Sequence, residues 1–586
     1  MSRIREILQR EAYRQWRKLI LIPSESICNP VAAEVLSSPF VSVYAEGQPD
    51  PVLLQNSRES AADANRFESW YTRLANGRFY KGCLEADRAE LLAQEYIARI
   101  FAPADGSVGA EDMHVNAQAL SGAAANTAVY SSLLEHGDRI MGLDLAAGGH
   151  LTHGSEYNLS GKTYDVVSYG IDENTRRLDY DRIRALAGKH KPKLIIGGAS
   201  AYPWDFDWKA LRAIADGVGA LLLADIAHLA GMVAAGILNN PVGVADVVTF
   251  TTHKSYQGPR GAAIITTDRN LCAKIKAGVF PGLQGGPHVQ SIAAIAAQSE
   301  WILENRDEFV AQQRKIVENA KVLADAIEKE GFTLEYGGTN THLFLIDLKK
   351  FETPGDGRLD GEIASRLLEI AGIVCNKNAL PGDPSGGRAT GLRMGTPWIT
   401  QRGVTAGQLG EIAAVTRLVL EAIHTTHIIT PSDEDRCRGR ILPEVLEEAA
   451  RRTLAVAEAL PHPAKPEEPP ADEIGDTMLL RGDKVRLALD QMLTCSAVGL
   501  APGENTRGNL LRPNGEVIDT VSIKRLENEG REERAALRCS PGKSNVVASW
   551  IRGLSDGYVM FDKRDLCAKI DGPTVVEPAP AGTDID

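Results

Sequence analysis

Between about residues 110 and 270, short apolar runs alternate with longer amphipathic ones. The runs are Arg139-Ile140-Met141, Lys193 to Ile196, Ala220 to Ala224, Val247 to Phe250 and Ala262 to Thr266. Each is too short for a buried helix and several are rich in β-branched residues. Strands spaced by helical stretches restrict the chain to an α/β fold with a mainly parallel sheet. Several runs end in polar clusters: Gly149-His150, Ser200-Ala201-Tyr202, Asp225 and His253-Lys254. Ligands of open α/β sheets sit at the carboxyl ends of strands, so these clusters are expected to converge.

Lys254 is the most telling of them. It lies in ADVVTFTTHKSYQGPRG (245–261), where a β-branched run ends in Thr251-Thr252-His253-Lys254 before a glycine-proline turn. A strand that delivers a lysine to its end holds an amine where a cofactor aldehyde can condense with it. One strand-helix-strand unit upstream, another run ends in Asp225, with His228 three residues on. A carboxylate beside such a lysine is what pyridoxal phosphate requires, because the acid keeps the pyridine nitrogen protonated and the ring an electron sink. Read singly, Asp225 is equally a strand-end cap and Lys254 a surface lysine. Their 29-residue separation across one unit favours the joint reading.

Three other segments fit that chemistry and also have plainer explanations. Ser121-Gly122-Ala123-Ala124-Ala125-Asn126 opens a helix with small residues, which lets backbone amides face a phosphate but also describes any alanine-rich helix start. His150 in Gly148-Gly149-His150-Leu151-Thr152-His153-Gly154 either stacks on a cofactor ring or is an ordinary loop histidine. Arg393, between two glycines in GLRMGTP, is a natural bidentate partner for a substrate carboxylate or one half of a structural ion pair.

Bulk properties exclude several classes. With 64 basic and 77 acidic side chains the net charge is −13, which argues against a nucleic-acid binder and against an anionic membrane surface. The eight cysteines form no Cys-x-x-Cys pair, so neither a metal site nor a disulfide framework is expected, and a reducing cytoplasm fits best. The first 20 residues carry charge throughout and have helical periodicity at Ile4, Ile7, Leu8 and Ile20, so they read as an arm and not as a secretory signal. The most apolar stretch, Val218 to Leu238, contains Asp225, His228 and three glycines; a buried strand, turn and helix is expected there, not a membrane span.

The expected domains are an arm over 1–45, a large cofactor domain over 46–310, a smaller α+β domain over 311–460 and a Pro/Glu linker over 461–473. An extra α+β domain over 474–572 and a disordered tail over 573–586 complete the chain. A long helix is expected over 290–330, further helices at 408–424 and 443–460, a strand in THLFLIDL, and a hairpin turn at Pro513-Asn514-Gly515.

Taken together, TTHKSYQGPRG, ADIAHLAGMVAAG, AAGGHLTHGS, GGASAYP, FPGLQGGPH, CNKNALPGDP and GLRMGTPWITQRG resemble elements of the serine hydroxymethyltransferase family, over about residues 1–430. The resemblance implies a fold-type I pyridoxal phosphate transferase with a seven-stranded, mainly parallel sheet. It implies transfer of the serine hydroxymethyl group to tetrahydrofolate, giving glycine and 5,10-methylenetetrahydrofolate, in a homodimer or larger homo-oligomer. By the same resemblance Lys254 would bond the cofactor, Asp225 would pair with its ring nitrogen, and His150 would stack on the ring. Ser200, His228 and His253 would line it. Ser121, Gly122 and Ala123 would hold the phosphate, with Gly285 and Gly286 contributed by a partner subunit. Arg393 and Ser24 (in LIPSES) would bind the substrate carboxylate and its surroundings. In Val43-Tyr44-Ala45-Glu46-Gly47, Tyr44 would reach the other subunit's phosphate and Glu46 would be the acid/base. Tyr80 would be a second active-site tyrosine, and Leu145, Gly149, Leu151, Phe79 and Asn378 would line a folate pocket.

The sequence departs from that pattern in places. Thirty residues, 48–77, separate the Tyr-Ala-Glu-Gly element from Arg78-Phe79-Tyr80. They read as a loop and a helix, with Ser57 a plausible cap and Ala64, Phe67, Tyr71 and Leu74 on one face, ended by Gly77. This insertion is either surface decoration or a lid or interface element at the mouth of the site. Ala123 stands where the family usually has a phosphate-binding serine, and Phe79 where it has a tyrosine. These departures keep open a folate-independent aldolase of β-hydroxy amino acids, or an α-methylserine hydroxymethyltransferase. Over about 474–555 the chain is similar to part of the aminomethyltransferase family of the glycine cleavage system, which implies a folate-handling module or a structural remnant of one.

Overall fold

The computed structural model describes every residue except 1–2, 51–52, 54–62, 356, 384–385, 430–434, 462–474, 561–568, 581, 584 and 586. The chain forms two compact units. One comprises Ile20–Leu348 and Cys375–Gly410, the other Met1–Leu19, Lys349–Val374 and Glu411–Asp586.

The first unit is built on a seven-stranded sheet. In chain order its strands are β1 (His114–Asn116), β2 (Arg139–Leu143), β3 (Asp165–Tyr169), β4 (Leu194–Gly198), β5 (Leu221–Asp225), β6 (Val247–Thr251) and β7 (Ala262–Thr266). They lie side by side as β1-β7-β6-β5-β4-β2-β3. The pairs β3–β2, β2–β4, β4–β5 and β5–β6 are parallel; β6–β7 and β7–β1 are antiparallel. This is the mixed, mainly parallel α/β sheet that the alternating runs predict. Strands β4, β6 and β7 are buried along their whole length, as expected when helices cover both faces. Because β2, β4, β5 and β6 run the same way, the segments that follow them emerge at one edge of the sheet.

The expected long helix over 290–330 is two helices, Val289–Glu304 and Arg306–Lys329. Asn305 breaks the run with non-helical backbone, and its side-chain amide bonds the carbonyl of Trp301. The same unit carries a four-stranded antiparallel sheet in the order Asn376–Asn378, Gly391–Gly395, Leu343–Asp347, Thr333–Leu334. Arg393 lies on it, opposite Leu345 on one side and Asn376 on the other.

The insertion contributes a helix over Ala64–Leu74. Its cap is Asp63, whose carboxylate accepts from the backbone N–H of Arg66; Ser57 lies outside the described residues. Phe67 is fully buried with Leu53 and with Leu91 of the Leu84–Phe101 helix, so the apolar face of the insertion is covered by its own chain. Phe67→Ala should cost about 3–5 kcal/mol of local stability. Limited proteolysis checks this: cleavage within 48–77 should rise, and unchanged protection would contradict the packing.

In the second unit, helices cover Arg3–Arg17, Gly361–Ile370 and Pro443–Ala459. A five-stranded antiparallel sheet joins Thr477–Gly482, Asn505–Leu511, Val517–Glu529, Glu532–Arg538 and Val575–Pro578, with helices Val485–Met492 and Ser544–Asp556. The expected hairpin forms between the second and third of these strands. Gly515 takes a left-handed conformation and donates to the Arg512 carbonyl. The expectation of a disordered tail is corrected at Val575–Pro578, which pairs with Met478–Arg481 as an edge strand. Two adjacent valines supply the strand propensity that the proline-rich flanks concealed. Among the described residues no helix is long and apolar enough to cross a membrane.

Candidate active site

The segments leaving β2, β4, β5 and β6 bring His150, Ser200, Asp225 and Lys254 into one neighbourhood. Gly148 and Gly149 make the first approach possible. A Cβ on Gly148, already at φ +100°, would lie 2.8 Å from the Ala201 carbonyl carbon, and one on Gly149 would lie 2.0 Å from the Leu143 oxygen. The Ser200 hydroxyl donates to the Gly149 carbonyl at 2.9 Å, and the backbone N–H of Ser200 to that of Gly148 at 2.8 Å.

Asp225 is buried and fully engaged on one oxygen. Its Oδ2 accepts from Asn126 Nδ2 at 2.8 Å and pairs with His153 Nε2 at 3.0 Å; among the described residues its Oδ1 accepts only the backbone N–H of Ala227, at 3.0 Å. Burial pushes the carboxyl upward, but His153, His150 and Asn126 outweigh it and hold the group well below the usual carboxylate range. Asp225 is therefore an anion with one oxygen able to accept another hydrogen bond. His150, His153 and Asp225 offer donor atoms within 4.8 Å of one another, the spacing of a metal site. The Asp225–His153 hydrogen bond already uses two of those atoms.

Lys254 makes no side-chain hydrogen bond among the described residues. Burial lowers its amine to about 8, the Asp225 charge opposes that, and Arg393 and Arg260 add to it. Arg393 is the second cation here. Its Nη1 donates to the Ser200 carbonyl at 2.5 Å and its Nε to Asn376 Oδ1 at 3.1 Å. No carboxylate of the described residues pairs with it, and burial lowers it to about 10. Ser24 is brought to the same strand, since Gly395 donates to the Leu21 carbonyl and packs on Pro23.

His228 is buried and its Nδ1 lies 3.2 Å from His342 Nε2, the rings stacked. Burial holds both imidazoles neutral: His342 is lowered to about 3 and His228 well below its usual value. Burial likewise lowers His150 and His253, each to about 4. Ser121 caps the Gly122–Leu133 helix by accepting from the Ala124 N–H, and Gly122 packs so close to Thr251 that a Cβ would lie 2.7 Å from its methyl. Ala123 is exposed on the first turn.

A second group forms a surface patch in the same chain. Tyr44, Phe79 and Tyr80 are 57%, 76% and 43% exposed. Tyr44 donates to Glu46 Oε1 at 3.4 Å and packs against Tyr80, with ring centroids 4.8 Å apart. Gly285 lies against the Glu46 carboxylate and Gly286 against the Tyr44 ring. Phe79 meets Phe280 edge to face. Leu145 and Leu151 are exposed apolar residues flanking Gly149 and His150, whereas Asn378 turns its amide onto the Ala379 carbonyl.

A family model of serine hydroxymethyltransferase matches residues 64–416, well over half of the chain. The chain belongs to this family. Serine hydroxymethyltransferases are pyridoxal phosphate-dependent transferases of one-carbon metabolism, and folate is their usual co-substrate. The donor set suits that cofactor. An unpaired, weakly basic lysine fits its aldehyde, an ionised carboxylate with a free acceptor site fits its ring nitrogen, and a helix start of small residues fits its phosphate. Sequence reading passed over Asn126, His153 and His342. His153 stood in view three residues after His150; Asn126 and His342 carried no local signal, because their partners lie 99 and 114 residues away.

Proposed function

We propose that this serine hydroxymethyltransferase family member transfers the hydroxymethyl group of serine reversibly to tetrahydrofolate, giving glycine and 5,10-methylenetetrahydrofolate, with Lys254 as the cofactor-bonding residue. The observation that carries the reading is Arg393, a largely buried guanidinium with no carboxylate opposite it among the described residues, within the electrostatic reach of Lys254. A cation left uncompensated in a site is a place for an anionic ligand, and a planar fork suits an amino-acid carboxylate. When bound, pyridoxal phosphate supplies the electron sink that makes cleavage of the Cα–Cβ bond of serine accessible.

The residues of this chain do the rest. Asp225, held ionised by His153 and Asn126, keeps a proton on the ring nitrogen. His150, neutral at physiological pH, offers an uncharged face for stacking. Ser200 and His228 line the ring with His253 nearby, and Ser121, Gly122 and Ala123 present backbone N–H groups to the phosphate. Arg393, with Ser24 close by, fixes the substrate carboxylate and so sets which bond is aligned for cleavage. Glu46 moves the proton at the serine hydroxyl or folate nitrogen, and Tyr80 completes that side. Leu145, Gly149, Leu151, Phe79 and Asn378 form the folate surface.

Tyr44, Glu46, Phe79, Tyr80, Gly285 and Gly286 share one exposed patch, which supports a homodimer in which each patch completes the partner's site. The C-terminal sheet is the module that resembles an aminomethyltransferase and is proposed to handle folate or to hold the oligomer together.

Glu46→Gln separates the proton role from cofactor chemistry. Folate-dependent transfer should fall about 10²- to 10⁴-fold, the range of a positioned acid/base, while folate-independent cleavage of a β-hydroxy amino acid persists. Unchanged folate-dependent turnover would remove Glu46 from the mechanism.

A further inference from the structure

We propose that Arg78 is a positioning residue for the transfer reaction: its guanidinium fixes the loop that presents Tyr44 and Glu46, acting through backbone carbonyls on either side of Glu46. The inference rests on the role given to that loop above.

Arg78 is almost fully buried and uses all three of its nitrogens. Nη1 donates to the Ala45 carbonyl at 2.9 Å and to the Gly47 carbonyl at 2.7 Å. The carbonyl between them, that of Glu46, accepts the backbone N–H of Phe79 at 3.0 Å. Three consecutive carbonyls around the acid/base are thus held by two consecutive residues. The guanidinium is fixed from behind by Asp87, through Nε at 2.6 Å, and by Glu90, through Nη2 at 2.6 Å. Gln118 closes the network by donating to both oxygens of Glu90 and to the Gly47 carbonyl, at 2.9–3.0 Å.

The same knot closes the root of the insertion. Gly47 and Arg78 form a β-bridge, and the Gln48 N–H reaches the Gly77 carbonyl at 3.3 Å. The approach depends on two glycines: a Cβ on Gly47 would lie 2.4 Å from the Gly77 oxygen, and one on Gly77 would lie 2.3 Å from the Gln48 oxygen. The inserted residues therefore leave and re-enter the fold without loosening the loop they interrupt. A planar fork with five donors satisfies this geometry; a lysine ammonium, with three donors on one atom, cannot reach both carboxylates and both carbonyls.

The test uses Arg78→Lys in the full-length holoenzyme, alone and combined with Glu46→Gln. Alone it should raise hydrogen exchange of the amides in 44–48 and 77–80 while leaving the absorbance of the lysine-bound cofactor unchanged. It should lower folate-dependent transfer about 10- to 100-fold, the loss expected when a catalytic group shifts by about an ångström. In the Glu46→Gln background its further effect on transfer should be much smaller than in the wild type, because most of it acts through Glu46. Equal losses in both backgrounds, or unaltered exchange in 44–48, would overturn the proposal. Were Glu46→Gln itself harmless, the role of Glu46 would fail separately. Arg78 would then stand only if its own substitution both loosened the loop and slowed transfer. Should Arg78→Lys not fold, Glu90→Gln, which keeps an acceptor but removes the charge, should give the same pattern at smaller size.

Discussion

Lys254→Ala should bind pyridoxal phosphate without bonding to it. Borohydride reduction of the native protein should fix the cofactor to the peptide containing Lys254, and reduction of the variant should leave it dialysable. Transfer should fall about 10³-fold or more, the scale of removing a covalent nucleophile. The pH dependence of attachment follows from the environment of the amine. Burial outweighs the opposing Asp225 charge and lowers Lys254 to about 8. Only the neutral amine attacks, so about one amine in ten is competent at pH 7, against roughly one in three thousand for an ordinary lysine. The attachment rate should therefore rise close to tenfold per pH unit below pH 8 and level off above it. A profile still rising steeply past pH 9 would mean that the amine is not buried among these groups.

Arg393→Ala should leave cofactor attachment intact and destroy recognition of the amino acid. Removing one partner of a buried, charge-assisted pair costs about 3–5 kcal/mol, or two to nearly four orders of magnitude in kcat/KM for serine. Arg393→Lys should recover little, because an ammonium cannot reproduce the fork that holds the Ser200 carbonyl, Asn376 and a carboxylate together. Equilibrium binding of glycine, followed by the change it causes in the cofactor spectrum, separates this from a folding defect. Wild-type affinity for glycine in Arg393→Ala would show that the carboxylate is bound elsewhere.

The central sheet was legible because its strands are buried and uninterrupted, so Val247–Thr251 and Leu221–Asp225 announce themselves as apolar runs with a functional group at the end. The proposed site residues Lys254, Asp225, His150 and Arg393 stand out in the sequence for a similar reason: each lies at or just past a strand end or between glycines. What escaped was the support around them. Asn126 and His153 hold the Asp225 charge across 99 and 72 residues of sequence, and no local periodicity encodes such pairs. The Arg78 network reads in sequence as a helix start with ordinary acidic residues, since Asp87 and Glu90 fall in the first two turns of the Leu84–Phe101 helix. Only the fold turns both carboxylates inward onto one guanidinium. The break at Asn305 and the edge strand Val575–Pro578 were hidden for another reason. A local side-chain bond from Asn305 to the Trp301 carbonyl interrupted a helix-favouring run, and pairing with Met478–Arg481 overrode the proline-rich flanks.

The most direct measurement is turnover of the cofactor-loaded protein on serine, with and without tetrahydrofolate, followed by formation of glycine and methylenetetrahydrofolate. The two products should form in equal amounts, and rapidly only when tetrahydrofolate is present. Glycine formed at the same rate without tetrahydrofolate, or no turnover of serine beside rapid cleavage of a bulkier β-hydroxy amino acid, would contradict the proposed transfer and identify an aldolase.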